Sequence, residues 1–104
     1  MPGFPGLLPQ NHGGVNMDQE RTVQAEYLKA LAHPTRIRIL ELLDTEGRCV
    51  TNIGEKLELK QSNISQHLGI LKSRGILSIR REGGHSIYCI KDPRAVKILG
   101  MLRG

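Results

Sequence analysis

The 104 residues carry 15 Lys and Arg against 10 Asp and Glu, a formal charge of +5, with one Phe, two Tyr and no Trp. A chain of this length holds one domain with a thin core built from Leu and Ile, which leaves no room for separate catalytic and binding halves. So few aromatics also make the stacking platforms used for single strands scarce, and no apolar run reaches the ~18 residues that would cross a bilayer.

The charge is localised. Between Lys60 and Lys91 lie Lys60, Lys72, Arg74, Arg80, Arg81 and Lys91 against Glu82 alone, so this stretch carries the whole excess of +5. A basic excess confined to one continuous segment is the footprint of a polyanion-binding face. The N-terminus has no basic segment ahead of an apolar one, so it does not read as a secretory signal, and a cytoplasmic location is expected. The two cysteines, Cys49 and Cys89, do not make a disulfide framework, and reduced thiols are expected.

Residues 1–17 are rich in Gly and Pro and read as a disordered tail, with Met17 a candidate natural start; the domain is expected over 18–104. From Asp18 the pattern is helical, with Val23, Tyr27, Ala30 and Leu31 on one face, and it should stop near Ala32 ahead of Pro34. Pro34 suits the first turn of a second helix, whose stripe is Ile37, Leu40 and Leu43, widened by Ile39 and Leu42. Arg36, Arg38 and Glu41 are expected to face outward. His33 is expected to pack or cap at this junction. A short third helix should run from Thr51 to Leu57, capped by Thr51 or Asn52, and a fourth should start from Ser62 as its N-cap. In the fourth, Ile64, Leu68 and Leu71 form the inner stripe, and Gly75 supplies the stop.

The period then changes to alternation. Leu77 to Arg81 and Ser86 to Ile90 read as two strands joined by a turn at Glu82-Gly83-Gly84-His85. Asp92-Pro93 opens a last helix carrying Ala95, Val96, Ile98, Leu99 and Leu102. The order is α-α-α-α-β-β-α. The fold class is mainly α with a β-hairpin wing, a winged helix-turn-helix.

A short helix, a tight turn and a second helix with polar side chains outward is the helix-turn-helix signal. Gln61, Asn63, Gln66 and His67 fall where the apolar stripe leaves side chains facing out, and Asn and Gln can pair with adenine edges in the major groove. Ser62 and Ser65 are small enough to let the helix lie close to a duplex. Lys60 and Lys72 would meet the phosphate backbone, with Arg80, Arg81 and His85 on the wing.

Two stretches carry a family resemblance: Leu28 to Leu40, which includes Ala32-His33-Pro34-Thr35-Arg36, and Gln61-Ser62-Asn63-Ile64-Ser65-Gln66-His67-Leu68 running on to Leu71-Lys72 and Gly75. Over roughly residues 20 to 102 the chain resembles the ArsR/SmtB-type winged-helix repressors. The resemblance implies a homodimer through the first and last helices and release from a palindromic operator by an effector. The apolar last helix independently asks for a cover over Ile98, Leu99 and Leu102.

Members of that family often hold a metal between two cysteines flanking a valine; here the stretch reads Cys49-Val50-Thr51, and the second thiol is missing. The family's other common site, on the last helix, needs histidines that this helix lacks. Neither standard metal site is therefore expected, no cofactor is expected, and a thiophilic metal or metalloid remains open only as an effector. Cys49 lies ahead of a helix N-terminus and beside Arg48, an environment that favours a thiolate. Cys49, with Cys89 as its possible partner, is the candidate redox, reactive-sulfur or thiophilic-metal sensor; the alternative is two half-buried thiols without chemistry. No phosphate loop, nucleophile constellation or carboxylate pair suggests an enzyme. The rival binding role is a non-specific architectural protein or an effector-independent winged-helix module.

Overall fold

Helical spacing in the first half and alternation in the second decide the architecture. The computed structural model describes residues 17–103. They form α1 (Met17–Leu31), α2 (Pro34–Thr45), β1 (Cys49–Val50), α3 (Ile53–Leu57), α4 (Gln61–Ser73), β2 (Leu77–Glu82), β3 (His85–Ile90) and α5 (Arg94–Leu102). This is the expected winged helix-turn-helix, with one added strand. The tail expected before Met17 lies outside the described residues; Met17 itself opens α1.

α1 stops at Leu31 because the residue before a proline is pushed out of helical geometry. His33 stands there in extended conformation, φ −153°, and its Nδ1 accepts from the Thr35 backbone N–H at 3.1 Å, which caps α2. Ile39, Leu40 and Leu43 of α2 are fully buried, with Ile37 and Leu42 packed at the margin. Fully burying one such side chain contributes about 1.5–3 kcal/mol. α2 packs against α1, α3, α4, α5 and β3, so it is the axle of the molecule. Of its basic side chains, Arg38 is exposed, but its guanidinium donates to the Leu57 carbonyl at the end of α3 (3.0 Å). Arg36, expected outside, is half-buried and turns toward α4.

Two helix starts differ from expectation. α3 begins at Ile53, after Asn52, whose φ of 56° is left-handed and whose side chain makes no cap. α4 begins at Gln61, one residue before the expected cap Ser62. Its N-cap is Lys60, which acts through its carbonyl: the Asn63 and Ile64 N–H groups both donate to it. The reason lies in the turn. Glu58 takes a left-handed conformation, φ 57°, and the Leu59 N–H folds back to the Gly54 carbonyl at 2.8 Å, so the chain re-enters a helix early. Gly54 permits this approach, since a Cβ there would meet the Leu59 carbonyl at 3.0 Å.

The sheet is antiparallel in the order β1-β3-β2. The hairpin turn is tighter than expected: Glu82 and His85 are the last paired residues, and only Gly83 and Gly84 turn. Both have positive φ, 56° and 81°, as a two-residue primed turn requires. β1 was not expected. It pairs Cys49 with Cys89 and Val50 with Tyr88 along the free edge of β3.

α5 opens at Arg94 with Pro93 as its N-cap, one residue later than expected; Asp92, ahead of that cap, still accepts from the Arg94 N–H through Oδ1 (3.0 Å). The same carboxylate accepts from the Arg94 guanidinium (2.8 Å) and from the Tyr27 hydroxyl (3.0 Å), pinning α5 to α1. The bond from Arg94 holds the Asp92 pKa down to about 2. Burial, then the bond to Asp92, pushes Tyr27 up to about 12. With a depressed folded pKa, the stability Asp92 supplies is present above its ordinary pKa of about 4 and lost as pH falls through about 2. Tyr27 supplies stability below about pH 10 that is lost as pH rises through about 12. Urea midpoints followed against pH at fixed protein concentration should therefore fall in acid for the natural chain, and Asp92→Asn should flatten that limb.

Candidate nucleic-acid interface

Ile64, Leu68 and Leu71 of α4 are buried against the core, and this fixes which way the remaining side chains look. Gln61, Ser62, Asn63, Ser65 and Gln66 are all exposed. Ser65 donates to the Gln61 carbonyl and accepts from the Gln61 amide (3.3 Å), so these two side chains are ordered along the helix. Lys60 at the N-cap and Lys72 in the last turn are exposed and make no ion pair among the described residues. His67 differs from its neighbours. It is half-buried on the α2 side, where its ring meets His33 and Arg36.

The wing stands beside this helix. Arg80, Arg81 and His85 are exposed along the hairpin. Arg80 is held by Glu82 at 2.8 Å, and Arg81 donates to the Ser86 hydroxyl at 3.3 Å. An open cleft of about 240 Å³ runs between helix and wing, with Gln61 and Asn52 on one wall and Gly84, His85 and Ser86 on the other. The start of α4 and the tip of the hairpin thus share one surface. Gln61, able to pair with base edges, faces His85 across this cleft, and the guanidinium groups of Arg80 and Arg81, suited to phosphate, are exposed on the same hairpin.

The candidate sensor residues also come together. Cys49 and Cys89 face each other across β1 and β3, with Cα atoms 4.1 Å apart, and form a disulfide. The Ile90 N–H donates to the Arg48 carbonyl (2.9 Å), so the pair occupies a non-hydrogen-bonded position, where facing residues approach most closely. The thiols expected to be reduced are joined instead, because β1 pairs with β3, a contact that a two-residue strand does not announce. Cys49 is exposed and Cys89 half-buried. Among the described residues, no three His, Cys, Asp or Glu side chains are grouped to hold a metal ion, and no helix is long and apolar enough to cross a membrane.

A helix-turn-helix whose second helix presents a polar row, followed by a basic β-hairpin, defines a winged helix-turn-helix DNA-binding module. The model of the bacterial regulatory proteins of the arsR family matches residues 33–78. The HTH-type transcriptional regulator Rv0081 of Mycobacterium tuberculosis is 43% identical over 82 residues, which cover 78% of this chain and 72% of that protein. The crystal structure of NolR from Sinorhizobium fredii is similar with a TM-score of 0.73 at 32% identity, over 82% of this chain and 85% of that one. The transcriptional repressor PagR of Bacillus anthracis gives a TM-score of 0.70 at 31% identity, over 83% and 99% respectively. The chain belongs to the ArsR family. It is a DNA-binding transcriptional regulator, not an enzyme.

The sequence missed the contact between Arg36 and His67. The one signal available was that Arg36 follows a capping His33-Pro34 by two positions, which puts it in the first turn of α2, where a long side chain can reach a neighbouring helix. Two substitutions separate reading from anchoring on the exposed face. Gln66→Ala should lower discrimination between a specific and a random duplex by about 1–3 kcal/mol. Arg81→Ala should weaken both alike and reduce the slope of log affinity against log salt by about one. Fluorescence anisotropy over a salt series reads both effects.

Proposed function

We propose that the chain is a homodimeric repressor that reads a palindromic operator through α4 of each subunit, with the wing on the adjoining backbone, in the cytoplasm. The observation that carries this reading is the exposed row Gln61, Ser62, Asn63, Ser65 and Gln66 beside the basic hairpin, on one surface. Dimerisation is supported by what α1 and α5 leave open. Val23 is 69% exposed, Leu28 52%, Met101 84% and Leu102 76%. A cleft of about 330 Å³ between the two helices is lined by Val23, Tyr27, Leu28 and Ile98. Exposed apolar side chains on these two helices suit a second copy of the chain. Repression is supported by the similarity to PagR, titled a transcriptional repressor.

The effector in this reading is an oxidant or reactive-sulfur species acting on Cys49 and Cys89. Two thiols lose two electrons and two protons as the disulfide forms, and a polysulfide accepts the electrons by cleavage of one of its S–S bonds. The bond joins β1, which leads directly into α3 and α4, to β3 of the wing. The reduced sheet is free to adjust the wing to the duplex; the bridged sheet is not, and the operator is released. No metal or cofactor is needed in this scheme.

Binding to DNA from upstream of the chain's own gene, followed by anisotropy with dithiothreitol-reduced and polysulfide-treated protein, tests it. Tight binding that is lost on treatment, restored by dithiothreitol and made indifferent to treatment by Cys49→Ser is the expected result. Tight binding indifferent to treatment in the natural chain discards the thiol switch. Equal affinity for a random duplex discards the specific regulator in favour of an architectural role.

A further inference from the structure

His67 is half-buried beside two groups that can carry positive charge. Its ring centroid lies 4.3 Å from that of His33, in the turn between α1 and α2. Arg36 Nη1, from the first turn of α2, donates to His67 Nδ1 at 3.3 Å. Arg36 Nη2 reaches the Lys29 carbonyl at 3.4 Å, and its Nε is buried without a partner. Both imidazoles are used as acceptors: His33 Nδ1 takes the Thr35 N–H, and His67 Nδ1 takes the guanidinium. No carboxylate among the described residues faces His67; His33 and Arg36 are the charged or titratable groups that do.

We propose that Arg36 and His67 are positioning residues for α4, and that protonation of His67 disengages this helix from its operator-reading position. The inference rests on the reading of α4 as the DNA-reading helix. An imidazole that receives a proton at Nδ1 ceases to accept from Arg36 and becomes a cation against a guanidinium. The repulsion falls on α4 at His67, one residue from Gln66 and two from Ser65. Burial, then His33 and Arg36, lowers the His67 pKa below its ordinary value. With a depressed folded pKa, the neutral, engaged arrangement holds above the ordinary histidine range and is lost as pH falls through the folded value. This sign is opposite to that of a histidine touching phosphate, whose protonation strengthens DNA binding.

The test uses a duplex selected from a random library against the reduced full chain at about pH 7.5. Its affinity and that of a random duplex are measured down to about pH 4.5, well below the ordinary histidine range because the His67 pKa is lowered. In the natural chain the specific-to-random ratio should fall severalfold across this span, with helical circular dichroism unchanged. His67→Gln keeps an acceptor for Arg36 but does not titrate; whatever ratio it shows at about pH 7.5, it should keep that ratio in acid. His67→Lys, a permanent cation, should show the low ratio at both pH values. A ratio that holds or rises in acid, or that falls equally in His67→Gln, overturns the positioning role while leaving the DNA-reading helix intact. Helix loss in step with the ratio overturns it as well, by making the effect one of global unfolding. If no duplex is enriched over random, the DNA-reading assignment falls and the inference with it.

Discussion

Everything in this molecule hangs on the buried stripe of α2. Ile39, Leu40 and Leu43 are fully inaccessible, and α2 touches α1, α3, α4, α5 and β3. A chain this short has one core, and only a central helix can serve as the common wall for so many elements. Ile64, Leu68 and Leu71 of α4 belong to the same buried cluster. Once they are committed inward, helical geometry leaves Gln61, Ser62, Asn63, Ser65 and Gln66 outside. The reading face is thus a consequence of packing on the opposite face. α2 also supplies the polar braces: Arg38 holds the end of α3, and Arg36 reaches His67 in α4.

The sheet performs the complementary task of setting the wing. β1 is only two residues long, yet it stitches the segment ahead of α3 to β3, through backbone pairing and through the Cys49–Cys89 bond. The hairpin, which also packs on α2 and α4, is thereby tied to the segment that leads into α3. In the proposed thiol switch, this tie is the route by which chemistry at Cys49 and Cys89 reaches the wing.

Much of this was legible. Leu and Ile at helical spacing, Pro34 at a helix start and Gly83-Gly84 between alternating runs each encode one local decision that packing does not override. Where the reading failed, the cause was non-local. β1 has too few residues to show a period and exists because β3 offers an edge. Ser62 looked like the N-cap of α4, but the left-handed Glu58 and the close approach at Gly54 shorten the turn so that Lys60 takes that place. Arg36 and His67 are 31 positions apart, and nothing in either local pattern announces their contact. Cys49 and Cys89 could be named as a possible pair, but their register is a property of the sheet. The family resemblance, carried by the stretches around His33-Pro34 and Ser65-Gln66-His67-Leu68, identified the fold and class; the environment of each side chain needed the structure.

The central claim is that two copies of α4 read one duplex from a common face. Hydroxyl-radical footprinting of the chain on a selected duplex tests it most directly. Two symmetric protected patches centred about one helical turn apart, on each strand, are the expected result, the geometry of paired helix-turn-helix units on a palindrome. A single patch, or uniform protection without a two-fold pattern, would contradict the account.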